Sequence, residues 1–104
     1  MPSYRLQLEV LDARPGVPPG SVLDAAVARV TSTHHLDACD LDVVAGTARI
    51  VLRFTVPPSS AAEEDADARA LAHATRDATA RVAVVGRLWL VRREGGRWAP
   101  RRLW

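Results

Sequence analysis

The chain has 104 residues, of which 48% are hydrophobic and 25% are charged, and its formal net charge is +2. This is globular composition, so wholesale disorder is excluded and the length predicts a single α+β domain, 1–104, with a modest core. The only cysteine, Cys39, excludes an internal disulfide and is expected to be a small buried residue. No run approaches the ~20 apolar residues that span a bilayer. These features predict a soluble, cytoplasmic protein with no membrane partner.

The charge of the chain is unevenly divided. Residues 1–80 contain 7 arginines and 11 acidic residues, a formal charge of −4, whereas residues 81–104 contain 7 arginines and 1 glutamate, a charge of +6. This division indicates an acidic partner for the basic end, or a second copy whose acidic half pairs with it. The absence of lysine is typical of a GC-rich bacterial genome, which explains the number of arginines better than their clustering.

Four strands and two helices are predicted before the final hairpin. Alternating apolar residues predict strands over 4–11, 39–45, 48–56 and 82–91. Helical spacing predicts one helix from a capping box at Ser21 and Asp24 to about residue 33, and a second over 60–80 capped by Ser59 or Ser60. On the second helix a narrow stripe is expected to pack against the sheet, formed by Ala66, Ala70, Leu71 and Ala74.

The last stretch of the chain predicts a β-hairpin. Gly95 and Gly96 separate two alternating runs, and both central positions of a type I′ turn need positive φ. Such a turn places Trp98 opposite Arg93, and the same register continued to the end pairs Arg102 with Trp89 and Trp104 with Arg87. Since opposed residues share a face, the predicted interaction face holds three tryptophans and three arginines: Arg87, Trp89, Arg93, Trp98, Arg102 and Trp104.

The element order predicts a ferredoxin-like βαββαβ antiparallel sandwich, with both helices on one face and an extra C-terminal edge strand outside the fourth strand. An alternative comes from residues 90–98, Leu-Val-Arg-Arg-Glu-Gly-Gly-Arg-Trp. This phrase resembles the closing hairpin of NTF2-like and cystatin-type α+β rolls, in which a curved sheet wraps a helix. That resemblance implies a deep apolar cavity that holds either a small-molecule binding site or an enzymatic site.

The predicted interaction face allows three interpretations. Arginine over tryptophan stabilises an exposed pair by about 0.5–1 kcal/mol, so the face can be a purely structural ladder. Tryptophan and arginine are also enriched at protein interfaces, which favours a homodimer. The third interpretation is a nucleic-acid-binding surface, because indoles stack on bases and arginines neutralise phosphates.

Few residues have the character of a metal or catalytic site. His34, His35 and Asp37 are metal-ligand types at close spacing, but an extended segment does not direct them to one point, so no metal is predicted. The alternative for this segment is a loop whose acids, Asp40 and Asp42, pair with Arg49 and Arg53. His73 and Asp77 have helical spacing for a hydrogen bond, but no nucleophile accompanies them.

The sequence therefore predicts a non-enzymatic domain without a cofactor that self-associates, most simply as a homodimer, and serves as an interaction or regulatory module. The two alternatives are a nucleic-acid-binding module that uses the basic hairpin and an NTF2-like roll with a small-molecule site.

Overall fold

A computed structural model describes residues 1–104 as an α+β fold with one open, five-stranded antiparallel sheet and two helices. No helix is long and apolar enough to cross a membrane. The elements follow the predicted order, and their bounds are β1 Ser3–Ala13, α1 Gly20–Thr31, β2 His35–Val44, β3 Thr47–Thr55, α2 Ala61–Ala80, β4 Ala83–Glu94 and β5 Arg97–Arg101.

The strand order across the sheet is β2-β3-β1-β4-β5, with β1 in the centre and every pair antiparallel. The Gly95–Gly96 turn is confirmed, because both glycines have positive φ and Arg93 lies opposite Trp98. The predicted register holds as far as the pair of Leu90 and Arg101. Strand β5 ends at Arg101, so the expected pairs of Trp89 with Arg102 and of Arg87 with Trp104 are wrong.

The core lies between the helices and one face of the sheet. Apart from Ala83, which lies beyond the register shifts between β1 and β4, its strand residues occupy even-numbered positions of β1, β3 and β4, as period-two alternation requires. They include Tyr4, Leu6, Leu52, Phe54 and Leu90. Helix α1 contributes Val22, Ala26 and Val30. The expected capping box at Ser21 is wrong, because α1 begins one residue earlier and has no side-chain cap, so its first turn depends on packing.

Helix α2 has the predicted cap but a different buried face. Ser60 Oγ accepts a hydrogen bond from the backbone N–H of Glu63 at 3.2 Å. The predicted stripe is wrong except for Leu71, since Ala66 and Ala70 are exposed and Ala74 is only half-buried. Two threonines lie in the buried face, and each hydroxyl is satisfied by a carbonyl one turn earlier. The buried face consists of Glu64, Ala68, Leu71, Ala72, Thr75 and Thr79.

The β2 edge of the sheet is mostly uncovered. Beyond Leu36 every residue of β2 is exposed, including Val43 at 71%. Cys39, which the sequence predicts to be buried, is therefore exposed, because α1 contacts β2 without covering this position. The sheet is open and does not enclose a helix, so it lacks the wrapped cavity that the roll alternative requires.

Candidate interaction face

The face of the sheet opposite the helices carries the odd-numbered residues of β1, β3 and β4. No other element packs on it, since α1 and α2 both lie on the core side. Its central rows place arginines and tryptophans within reach of one another. We call this surface the open face, and its polar and aromatic members are Arg5, Gln7, Glu9, Arg49, Arg53, Trp89, Arg93 and Trp98.

Trp98 is surrounded by three guanidinium groups. The guanidinium carbon of Arg5 lies 4.3 Å from the centroid of the indole, and those of Arg53 and Arg93 lie at 5.3 and 5.6 Å. Arg53 and Arg5 belong to β3 and β1, so the Trp98 indole on β5 reaches inward over the sheet. Cation–π attraction holds all three arginines at this ring.

Trp89 is covered in the same way by Arg49, whose guanidinium carbon lies 4.2 Å from the ring centroid. The remaining members of the predicted face are not brought into this stack. Arg87 is exposed at a bulge opposite Glu9, and its backbone N–H donates to Glu9 Oε1 at 2.8 Å. Arg102 and Trp104 lie beyond β5, and Trp104 is 89% exposed.

Carboxylates also lie on the open face, at its β2 edge. Asp42 is opposite Arg49 in the β2–β3 register, and Asp40 is opposite Val51. Neither aspartate forms an ion pair, so the predicted pairing with Arg49 and Arg53 is wrong. The arginines are drawn to the indoles instead. The open face therefore has an acidic edge along β2 and a basic side along β4, where Arg87 and Arg93 are exposed.

A second polar group, which the sequence analysis missed, lies on the helix side of the sheet. Arg92 Nη2 donates to Glu64 Oε1 at 2.9 Å, and Arg92 Nη1 donates to Tyr4 Oη at 2.7 Å and to Asp65 Oδ1 at 3.1 Å. The Tyr4 hydroxyl donates to Asp65 Oδ1 at 2.5 Å, and Arg101 Nε lies 3.1 Å from Asp65 Oδ2. We call these five residues the polar cluster.

Electrostatics in the polar cluster follow from this geometry. The backbone N–H of Ser59 donates to Glu64 Oε2 at 2.8 Å and, together with Arg92, lowers the pKa of Glu64 despite desolvation. Burial acts to raise the pKa of Asp65, but hydrogen bonds from Tyr4 and Arg92 outweigh it and lower that pKa. Burial and the Asp65 carboxylate raise the pKa of the Tyr4 phenol.

The polar cluster accounts for part of the uneven charge. Two of the seven arginines in residues 81–104, Arg92 and Arg101, pair with carboxylates of the same chain. Arg101 also pairs with Glu94 across the hairpin. The first turn of α2 is thus an intramolecular acidic partner for the basic end. The sequence could not reveal this, since Arg92 is 27 and 28 residues from its carboxylates.

The candidate metal ligands do not converge. His34 Nε2 lies 2.9 Å from Asp67 Oδ1 on α2, and His34 Nδ1 lies 2.7 Å from Thr33 Oγ1. His35 instead pairs with Asp37 at 3.0 Å. No group of three or more histidine, cysteine, aspartate or glutamate side chains is placed to hold a metal ion. His34 links the end of α1 to α2.

His73 does not form a hydrogen bond with Asp77, although the spacing of the two residues on α2 permits one. Its Nε2 is instead in close contact with the backbone carbonyl of Leu103, which ties the end of the chain to α2. Leu103 packs against the core from the same segment.

Comparison with protein-family models, with curated proteins and with solved structures gives no match.

Proposed function

We propose that the chain is a ferredoxin-like sandwich that forms a homodimer through the open face and acts as an interaction or regulatory module. The observation that carries this proposal is the uncovered sheet face. Trp89 and Trp98 lie half-buried on it beneath arginines, with acidic groups at one edge and basic groups on the opposite side. Tryptophan and arginine are the residue types most enriched at the centres of protein interfaces.

The strand order supports a two-fold arrangement. Because β1 is the central strand, a two-fold axis parallel to it between two facing sheets places β2 of one copy over β5 of the other. Asp42 of each copy would then lie level with Arg87 of its partner, because both are level with Glu9 of β1, and Asp40 would lie two residues along. An axis perpendicular to the strands would instead set the acidic edges against each other, so charge favours the first arrangement.

The face also has a suitable size. Five strands spaced by ~4.8 Å, with about eight residues each at ~3.3 Å, give a projected area of roughly 600 Å². Side chains that protrude from the sheet raise the accessible area above this value. A standard stable interface buries about 800 Å² on each partner, so the face can support a dimer without help from the helices.

The two alternatives receive less support. Nucleic-acid binding needs indole faces free to stack on bases, whereas guanidinium groups already lie over Trp89 and Trp98. The aspartates at the β2 edge would also repel phosphates. An enzymatic or small-molecule site of the NTF2-like type requires a cavity inside a rolled sheet, and this sheet is open.

Sedimentation equilibrium at micromolar concentration tests the proposal. We expect a dimer whose dissociation constant rises with salt, because opposite charges meet across the interface. The variant carrying Asp40→Arg and Asp42→Arg should be monomeric under the same conditions. A wild-type chain that remains monomeric at low salt would refute the proposal.

A matched control separates the interface from the total charge. Asp24→Arg with Asp77→Arg changes the net charge by the same amount, but both positions are exposed on helices. We expect this control to dimerise like the wild type. If both double variants dissociate to the same extent, the association depends on net charge and not on the open face.

A further inference from the structure

A groove opens at the β4 edge of the sheet, where β5 stops. Strand β4 continues back to Ala83, but its pairing with β5 reaches only Leu90 and Arg101, so residues 86–89 have no neighbouring strand on that side. Beyond Arg101 the chain bends towards α2, as the contact of Leu103 with His73 shows. The space left between this end segment, β4 and α2 has a volume of about 820 Å³.

The lining of this groove is cationic. Its thirteen residues include four arginines and His73 but no carboxylate side chain. Arg101 is held by Asp65 and Glu94, and Arg76 lies 3.6 Å from Asp77. The guanidinium groups of Arg87 and Arg102 form no ion pair with a carboxylate, although the Arg87 backbone N–H donates to Glu9 Oε1. Their guanidinium groups are therefore available to a ligand, and their charge at this edge is not neutralised within the chain.

The groove also offers apolar and aromatic surface. Six of its thirteen lining residues are hydrophobic, and the indole of Trp104, 89% exposed, stands at its end. Sites for small molecules combine apolar lining with a few polar groups in volumes of about 300–1,000 Å³. Guanidinium groups bind phosphate or carboxylate through paired hydrogen bonds, and an indole stacks on a planar ring.

We propose that this groove binds a small organic anion in which a planar ring carries a phosphate or carboxylate, such as a nucleoside monophosphate. Arg76, Arg87 and Arg102 hold the anionic group, while Trp104 and the aliphatic lining contact the ring. This site borders the proposed dimer interface at Arg87 and Trp89, whereas Arg76 and Arg102 lie outside the open face, so variants at these two arginines test the groove alone.

Isothermal titration calorimetry at low salt tests the proposal with three probes: adenosine 5′-monophosphate, adenosine and inorganic phosphate. We expect saturable binding of the nucleotide, and binding at least about tenfold weaker for each of the other two, because adenosine lacks the charged group and inorganic phosphate lacks the planar ring. The double variant Arg76→Gln with Arg102→Gln should bind the nucleotide about tenfold more weakly than the wild type.

A charge-matched control is Arg81→Gln with Arg97→Gln, which removes two exposed arginines outside the groove. It should bind the nucleotide as the wild type does, and thermal melts should show both double variants folded. The proposal is overturned if the nucleotide does not saturate, if adenosine or phosphate alone binds as tightly, or if the two double variants lose affinity equally. None of these outcomes bears on dimerisation, which sedimentation measures independently.

Discussion

Arg92 and Arg93 are neighbours in β4, yet they belong to two regions with opposite electrostatics. The Arg92 side chain, 17% exposed, contacts two carboxylates and a phenol in the polar cluster. The Arg93 side chain is exposed on the open face and contacts only the ring of Trp98, at 5.6 Å. One residue step along a strand thus separates a charge that is paired within the chain from a charge that no carboxylate of the chain pairs with.

The two regions show how the same residue types serve different purposes. In the polar cluster, carboxylates near the start of α2 meet arginines from β4 and β5, and this contact fixes the helix to the sheet. On the open face, arginines stack on indoles while the nearby Asp40 and Asp42 stay without ion pairs. Charged groups that form ion pairs within the chain stabilise the fold, whereas exposed charged groups without ion pairs are available to bind a second molecule.

The largest expected effect is the loss of Arg92. Arg92→Ala should lower the free energy of unfolding by about 3 kcal/mol, because it leaves the buried Glu64 without its cation and leaves Asp65 with Arg101 alone. Urea unfolding of a dilute sample measures this change. Arg93→Ala is the matched control and should lower the free energy of unfolding by less than about 1 kcal/mol. Equal losses would mean that the polar cluster has no special role in stability.

Trp89→Ala should have its main effect on association. We expect the dimer to weaken by about 2 kcal/mol, as for residues at the centre of an interface, while the free energy of unfolding of the monomer falls by about 1 kcal/mol. Trp104→Ala, outside the open face, should leave dimerisation unchanged. Sedimentation and thermal melts together measure both quantities. If folding and association weakened equally, the tryptophan–arginine stack would be a structural ladder only.

The smallest expected effect is a dependence of stability on pH. The pKa values of Glu64 and Asp65 are lowered in the folded chain from ordinary values of 4.5 and 3.8. The folded state therefore binds fewer protons than the unfolded state, and stability present above these values is lost as the pH falls below them. Urea unfolding between about pH 6 and pH 3 should show this loss, and the variant Glu64→Gln with Asp65→Asn should show a shallower one.

The hairpin and the order of elements could be predicted because their signals are local. Gly95 and Gly96 determine the turn, the turn determines the register, and the register places Trp98 beside Arg93. Alternation along β1 and β3 likewise predicts which residues face the core. These signals need only neighbouring residues, so a single sequence reveals them.

The errors arise where distant parts of the chain decide the outcome. Tyr4 and Asp65 are 61 residues apart, and no local pattern indicates that they share a hydrogen bond. The buried face of α2 includes Glu64, which periodicity assigns to solvent but Arg92 neutralises. Cys39 is exposed because α1 contacts β2 without covering this position. In each case, the presence or absence of packing against another element overrides a preference of the local sequence.

The most direct test of the central claim is to mix two charge-reversed variants. One carries Asp42→Arg, and the other carries Arg87→Glu, since these two positions lie level with each other across the two-fold axis. Each alone should be monomeric in sedimentation, because like charges meet across its two-fold interface, whereas an equimolar mixture should form a heterodimer. A mixture that remains monomeric, although the wild type dimerises, would contradict the pairing of the β2 edge with the β4–β5 side.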